Sequence, residues 1–453
     1  MDRRTRLVVP LAALIALVSM AGPAPAVEPP VTTSRPPQLL ALDDAVQIQP
    51  ILSAGDVVGS STLAYQMTGI PDGIGVYRSG PDTVEVYINH ELDGDPSNAR
   101  VSHLTLDDAG QVVAADYLID GSEGFHDFCS STLEIIDGVP WYFTGEEENT
   151  ARYGGTSIAV NLNNERVFQT PHFGLLAHEN VVPIQGMAQA AVFTSEDGAH
   201  EHAQIFVYTA NTFGAAIRGR GTLRTWVPSA PTDGAPSPND IEVGEVMQGR
   251  LAAIPQSENS SVAELNQAAE GLGAMNFVRI EDAVADPFHP GVLYFTDTGA
   301  ARSDTFKGRI YMMRFDVEDP TQATIEVLLD GDQGDDLFNP DGLGVSRHAL
   351  VINEDRNYAK SGFNRVLVYD FSEETLTAVA RTDPIPIAME RDGGPGAWES
   401  SGAVDASEFF GKGWWLLDVQ AHDSYIDQPG RSLRVDSARG ERGQILLVHI
   451  PGT

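Results

Sequence analysis

Six stretches of this chain run from apolar residues into a polar or acidic cluster, and those ends have the chemistry to hold cations. They are Val84–Glu91, Trp141–Glu147, Ala191–Asp197, Val292–Thr298, Ala349–Asp355 and Trp414–His422. A strand end carries Gly, Asn or Asp because the following turn favours them, which accounts for one or two of the six. Turn chemistry does not by itself give His90-Glu91, Glu146-Glu147-Glu148, Glu196-Asp197 and Glu354-Asp355 at matching places. Carboxylates that converge raise one another's pKa and destabilise the fold unless opposite charge compensates. Hard cations with oxygen ligands, Ca²⁺ or an Fe³⁺-like centre, supply that charge.

More candidates lie between these runs: His178-Glu179-Asn180, Arg279-Ile280-Glu281-Asp282, Asn339-Pro340-Asp341-Gly342 and Trp398-Glu399-Ser400-Ser401-Gly402. Each also has a plain structural reading. Asn-Pro-Asp-Gly is a good type I turn, Arg279 and Glu281 suit a surface ion pair, and His178-Glu179 suits a solvated loop. Arg279 and Glu281, two apart on an extended segment, would point to one face. Cys129 is the single cysteine, so no internal disulfide holds the fold. Its thiol is a buried core group, a reactive group or a metal ligand.

The elements that position these residues are strands. Helical periodicity is scarce, while short β-branched and aromatic runs bounded by Gly, Pro, Asp and Asn recur throughout. The six runs begin at residues 84, 141, 191, 292, 349 and 414, evenly spaced but for one double gap. Most are followed by a second apolar run, as at Ser157–Val160, Gln204–Tyr208, Arg309–Phe315 and Arg365–Tyr369; Gln444–Ile450 comes later. Such a repeat predicts an all-β chain, a six-bladed β-propeller with long loops. A pair of sandwiched sheets is the alternative. The double gap, residues 198–291, holds a Pro-rich stretch (Pro228–Pro238) and a segment, Asn259–Gly271, that predicts a small helical insertion. One propeller domain is expected over residues 46–453, after a Pro-rich, poorly ordered lead over residues 27–45.

Residues 1–26 read as a signal peptide: Arg3, Arg4 and Arg6, an apolar run from Leu7 to Met20, then Ala24-Pro25-Ala26. Arg3-Arg4 also fits a twin-arginine signal, so a secreted or periplasmic location is expected. No later stretch is apolar enough to span a bilayer. Removing the leader takes away Asp2 and three arginines, so the net charge goes from −36 to −38. That charge argues against nucleic acid as a partner. It also repels an anionic substrate unless cations gather at the site.

In order, Asn89-His90-Glu91, Cys129, Glu146-Glu147, His178-Glu179, Arg279-x-Glu281, Pro340-Asp341-Gly342, Glu399-x-x-Gly402 and Gln420-x-His422 resemble the PhoX-type alkaline phosphatases. The resemblance spans about residues 80 to 425 and rests on the number and order of short motifs. It implies a monomeric, exported six-bladed propeller that hydrolyses phosphate monoesters with calcium and iron. It further implies an iron-bound cysteine and carboxylates from separate blades bridging the ions. The chain departs from the family pattern at Ser130-Ser131, where glycines are usual, and at Gly145, where a second cysteine is frequent.

On this reading the metal ligands are Cys129, Glu91, Glu147, Glu179, Glu281, Asp341 and Glu399, for several Ca²⁺ and an Fe³⁺. Arg279 would clamp the substrate phosphate with its planar fork. Asn89 and His422 would bond the substrate or orient a ligand. Two rivals share the fold: a Ca²⁺-dependent lactonase or phosphotriesterase, and a non-catalytic propeller with structural calcium.

Overall fold

The computed structural model describes residues 30–59, 64–92, 98–150, 152–198, 203–230, 232, 234–255, 257–303, 305–356, 362–392, 394–422 and 442–453. The expected signal peptide lies outside them. Among the described residues no helix is long and apolar enough to cross a membrane.

Each of the six runs is the second strand of a four-stranded antiparallel blade. Blade one is Pro71–Gly80, Thr83–His90, Arg100–Leu106 and Val112–Ile119; blade two is Thr132–Ile136, Val139–Gly145, Ser157–Asn161 and Arg166–Gln169. Blade three is His178–Ile184, Ala190–Glu196, Phe206–Ala210 and Gly221–Pro228; blade four is Ala283–Ala285, Val292–Asp297, Arg309–Phe315 and Gln322–Asp330. Blade five is Pro340–Val345, Ala349–Glu354, Arg365–Asp370 and Thr375–Thr382. Blade six takes three strands from the C-terminal end, Ala403–Asp405, Trp414–Ala421 and Arg442–His449. Its fourth is the N-terminal strand Gln47–Ser53, registered Gln47 to His449 and Ser53 to Gln444. The innermost strands neighbour one another around the ring, with blade six meeting blade one. That closure excludes the sandwich.

The second strands are largely buried on both faces because each blade is covered by its neighbours. Their cores are therefore continuous apolar runs rather than alternating ones. Between blades three and four Phe193, Phe277, Phe295 and Tyr311 are fully buried, and the rings of Phe295 and Tyr311 stack with centroids 4.9 Å apart. Close approach near the axis requires glycine. A Cβ on Gly73 would lie 2.2 Å from the Ser131 nitrogen of blade two, and one on Gly342 would lie 2.3 Å from the Ser401 oxygen of blade six.

The double gap contains the last two strands of blade three and a bridging strand, Val246–Ala253, that pairs with the outer strands of blades three and four. It also contains a helix, Val262–Leu272, which starts at a Ser261–Glu264 capping box and ends at left-handed Gly273 (φ 84°). Leu265 and Ala269 of that helix pack with Phe143 and Phe206.

The lead departs from expectation. Residues 30–45 are laid against the ring: Val31 bridges Val112 of blade one, and Leu39–Ala41 adds a strand to the edge of blade five. The prolines allow this because edge strands do not need every N–H, and Leu39 is buried. The propeller therefore recruits chain ahead of residue 46.

Candidate metal centre at the propeller mouth

One backbone device recurs around the mouth. Where the second strand ends, its next amide donates back to the residue ahead of the inner strand. The pairs are Glu91 N to Ile70 O (3.1 Å), Glu147 N to Asp127 O (2.9 Å), Asp197 N to Ala177 O (3.0 Å), Thr298 N to Arg279 O (3.0 Å) and Asp355 N to Asn339 O (2.9 Å). Four of the five accepting residues are left-handed: Ile70 (φ 48°), Asp127 (φ 41°), Arg279 (φ 59°) and Asn339 (φ 49°). Such conformations are costly for residues with a Cβ and persist only where the surroundings enforce them. Two residues beyond each acceptor stands a group that reaches the mouth: Asp72, Cys129, Glu179, Glu281 and Asp341.

The acidic pairs at the second-strand ends divide their work because successive strand residues face opposite ways. The first member folds into its own blade. Glu146 accepts from the amides of His126 (3.1 Å) and Thr156 (3.2 Å), Asp297 from that of Val278 (3.2 Å), and Glu354 from that of Phe338 (3.0 Å). His126, Val278 and Phe338 each directly precede a left-handed residue, so these carboxylates pin the turn. Glu196 accepts from the Gln204 amide (3.1 Å) and from Asn266 (2.8 Å) on the inserted helix. In the acidic pairs the second member, Glu147, Asp197 or Asp355, turns to the mouth, whereas Thr298, which follows Asp297, donates its hydroxyl to the Pro340 carbonyl at 2.6 Å.

The result is a chain of five overlapping groups whose ligand atoms lie within 4.8 Å of one another. They are Asp72, Cys129 and Glu179; Glu91, Cys129 and Glu147; Glu147, Asp197 and Glu281; Glu179, Glu281 and Asp341; and Asp341, Asp355 and Glu399. All seven sequence-predicted ligand residues are among them. Asp72, Asp197 and Asp355 were missed. Pro71-Asp72-Gly73 repeats the tripeptide Pro340-Asp341-Gly342, which was a usable signal. Asp197 and Asp355 both end Glu-Asp pairs, where strand alternation would have picked the second residue.

Electrostatics make the assembly unstable as bare carboxylates. Burial first, then Asp197, Glu91 and Glu281, hold the Glu147 carboxyl well above its ordinary pKa. Burial first, then Glu91, Asp418, Asp341 and Glu399, do the same to Asp72. Burial and the carboxylates of Glu147, Glu179 and Glu91 push up the Cys129 thiol, which donates to Glu147 Oε2 at 2.8 Å. Glu399 goes the other way: burial opposes ionisation, but His422 Nε2 at 3.3 Å and its charge hold the carboxyl below the usual value. Nine carboxylates and one thiol at this density fit a site for hard cations, and the thiol adds one softer donor.

Two predicted catalytic residues need correction. Asn89 is fully buried, and its amide is committed to the protein. Its Nδ2 donates to the carbonyls of Cys129 (2.6 Å) and Ser130 (3.1 Å) and to Thr144 Oγ1 (2.8 Å), while Oδ1 accepts from Tyr142 (2.7 Å). It positions the Cys129 turn and has no atom left for a substrate. Arg279 reaches the mouth, but not by same-face alternation, because its left-handed φ breaks the extended segment. Its guanidinium grips Asp197, with Nε to Oδ1 at 2.9 Å and Nη2 to Oδ2 at 3.3 Å, and contacts Glu281 as an ion pair without hydrogen-bond alignment. Gln420, named only within a motif, ties two blades by donating to Asp72 Oδ2 (2.8 Å) and Glu91 Oε2 (2.9 Å).

Below this ring runs a channel of about 500 Å³ lined by the inner strands. Asp282 stands on its wall, accepting from Asn180 Nδ2 (2.6 Å) and the Leu343 amide (2.8 Å). Burial raises its pKa to about 6.

No protein-family model and no curated protein matches the chain. Among solved structures, a thermostable family-43 glycoside hydrolase is similar with a TM-score of 0.36 and 11% identity, over 70% of this chain and 95% of that one. A chain of a nidogen/laminin complex reaches 0.32 with 11% identity, over 64% and 91%. Neither value carries an argument. Pseudomonas fluorescens PhoX, solved in complex with vanadate, a transition state analogue, is similar with a TM-score of 0.61 and 14% identity over 93% of this chain and 97% of that one. At that identity the likeness is one of fold, and it extends over nearly the whole of both propellers.

Proposed function

We propose that this protein is an exported, metal-dependent phosphatase that hydrolyses phosphate monoesters at the propeller mouth. The observation that carries the reading is a guanidinium, Arg279, set within a ring of nine carboxylates and one thiol. An acidic ring that gathers cations becomes able to accept an anion, and an arginine among the ligands favours a phosphorylated substrate over a lactone. The vanadate complex of PhoX, which shares the fold, supports the same direction.

Ca²⁺ would be held by Glu179, Glu281, Asp341, Asp355 and Glu399, and iron by Cys129 with Glu91 and Glu147. Bound there, the ions would neutralise phosphate oxygens and lower the pKa of water. The chain's own groups supply the rest. Arg279 holds equatorial phosphate oxygens with its fork, drawing on the guanidinium that now grips Asp197. His422, beside Glu399, would protonate a departing alkoxide, so that ester and water become alcohol and phosphate. Asn89 and Gln420 keep the ligand-bearing turns in place. Export is proposed from the arginine-led leader, and a monomer from the family resemblance.

A panel of chromogenic phosphate mono- and diesters, triesters and lactones, assayed with and without added Ca²⁺, tests this reading. Phosphate release from a monoester that needs the metal is expected. Lactone or triester turnover without monoesterase activity, or no turnover of any ester by metal-loaded protein, would overturn it.

A further inference from the structure

A second cavity, of about 540 Å³, lies behind the Glu91–Glu147 side of the mouth and has the opposite character. Its wall is made by Arg100, Asp120, Ser122, His126 and Arg152, with Asn98 fixing the loop through a 2.9 Å bond to the Gly121 carbonyl. The chain has 28 basic residues against 64 acidic ones. Two strand-starting arginines are spent on carboxylates, Arg309 on Asp330 and Arg365 on Glu354. Arg100 and Arg152 differ. Among the described residues neither is in an ion pair, and each lies over an aromatic face, Tyr117 at 5.5 Å and Tyr153 at 4.9 Å. Arg100 Nε is buried without a hydrogen-bond partner. The carboxylate in the wall, Asp120, accepts from the Ser122 amide at 2.9 Å, and bonding from Ser122 together with the nearby Arg100 charge holds its pKa down.

Two forked donors and an imidazole around one cavity suit a tetrahedral oxyanion, which arginine binds bidentately. The cavity is mechanically joined to the mouth. Arg100 pairs across the ladder with His90, the residue before Glu91. His126 donates its amide to Glu146 and precedes left-handed Asp127, two residues before Cys129. We propose that this cavity is a separate orthophosphate-binding site beside the metal centre, with Arg100 and Arg152 as its ligands. It is defined by its own residues and does not depend on the reaction assigned to the mouth.

Equilibrium dialysis of radiolabelled orthophosphate against the metal-loaded protein, in 150 mM chloride, tests it. The parent should bind two phosphates per chain, one at the mouth and one here. Arg152→Gln, at an exposed position that leaves the fold intact, should weaken one site at least tenfold. Its turnover of a small chromogenic monoester should be unchanged. Arg100→Gln should abolish the same site, while Arg279→Lys should spare it. If the mouth binds no phosphate, one site remains in the parent and is still lost in Arg152→Gln, which separates failure of the phosphatase reading from failure here. An isotherm unchanged in both Arg152→Gln and Arg100→Gln, or a parent with no site outside the mouth, overturns the proposal.

Discussion

Arg279 of blade four grips Asp197 of blade three through two hydrogen bonds, Nε to Oδ1 at 2.9 Å and Nη2 to Oδ2 at 3.3 Å. The pair joins the groups that carry Glu147 and Glu281, so the cation is held at the centre of an acidic site. Lysine keeps the charge and loses the planar fork. Arg279→Lys is therefore expected to lower phosphate-ester turnover by roughly one to three orders of magnitude, about 1.4 kcal/mol per tenfold. Steady-state kinetics on a chromogenic monoester, with a melting curve as control, checks this. Turnover equal to the parent's removes Arg279 from substrate binding.

Metal removal should act on the folded state alone. Ligands to each group come from two or three blades, so the unfolded chain has no equivalent site. A cation at about 100 times its dissociation constant adds about 2.7 kcal/mol by mass action. Calorimetry in excess chelator should show a lower melting temperature, with restoration by Ca²⁺. An unchanged curve for protein proven metal-free would refute a multi-ion centre.

On the proposed calcium and iron reading, Cys129 separates the two metal types. Cys129→Ser keeps the hydrogen bond toward Glu147 and the packing, and removes the one soft donor. The variant is expected to fold, to keep calcium, and to lose iron together with any charge-transfer colour. Iron content equal to the parent's returns the thiol to a packing role.

Much of the ring could be read from sequence because a second strand buried on both faces is a conspicuous apolar run. Its end is marked wherever two acids follow. The inner strands were harder. They carry bulges between Pro71 and Ile74, His178 and Val181, and Pro340 and Leu343, so their sequences show neither alternation nor a clean apolar run. Asp72 was lost for that reason. Asp197 and Asp355 were hidden because a pair such as Glu196-Asp197 looks uniform in sequence, and only the pleat separates its two members. Asn89 was misassigned from motif order. Its role in holding the Cys129 carbonyl is a contact between blades that the sequence does not display.

A pH effect on stability should arise far from the mouth, at His103. Burial alone would lower the pKa of this imidazole. The hydrogen bonds and charges of Asp116 (2.9 Å) and Glu85 (3.0 Å) outweigh burial and raise it to about 9. A raised folded-state pKa contributes stability that is fully present below the unfolded value of about 6.5 and is lost as pH rises through about 9. His103→Gln should therefore destabilise the protein at pH 6 and have a smaller effect at pH 10. Chemical denaturation at the two pH values measures the difference, and equal losses would mean that the imidazole acts only by stacking on Tyr87.

Core packing between blades should be equally specific. Phe295 is fully buried against Tyr311 and Phe277, and Phe295→Ala should cost ~3–5 kcal/mol. A urea midpoint shifted by less than 1 kcal/mol equivalent would show that this seam closes without it.

The N-terminal strand Gln47–Ser53 completes blade six against Arg442–His449, and this fixes the order of events in the life of the chain. It is made well before the strand it pairs with, and has no partner until residues 442–449 have followed. Until then two sheet edges stay open, and the acidic turns of blades six and one lie on opposite sides of the gap. A nascent or C-terminally truncated chain therefore carries a sticky edge strand and an incomplete mouth. Blade six, and with it the ring, can close only after residues 442–449 have been made.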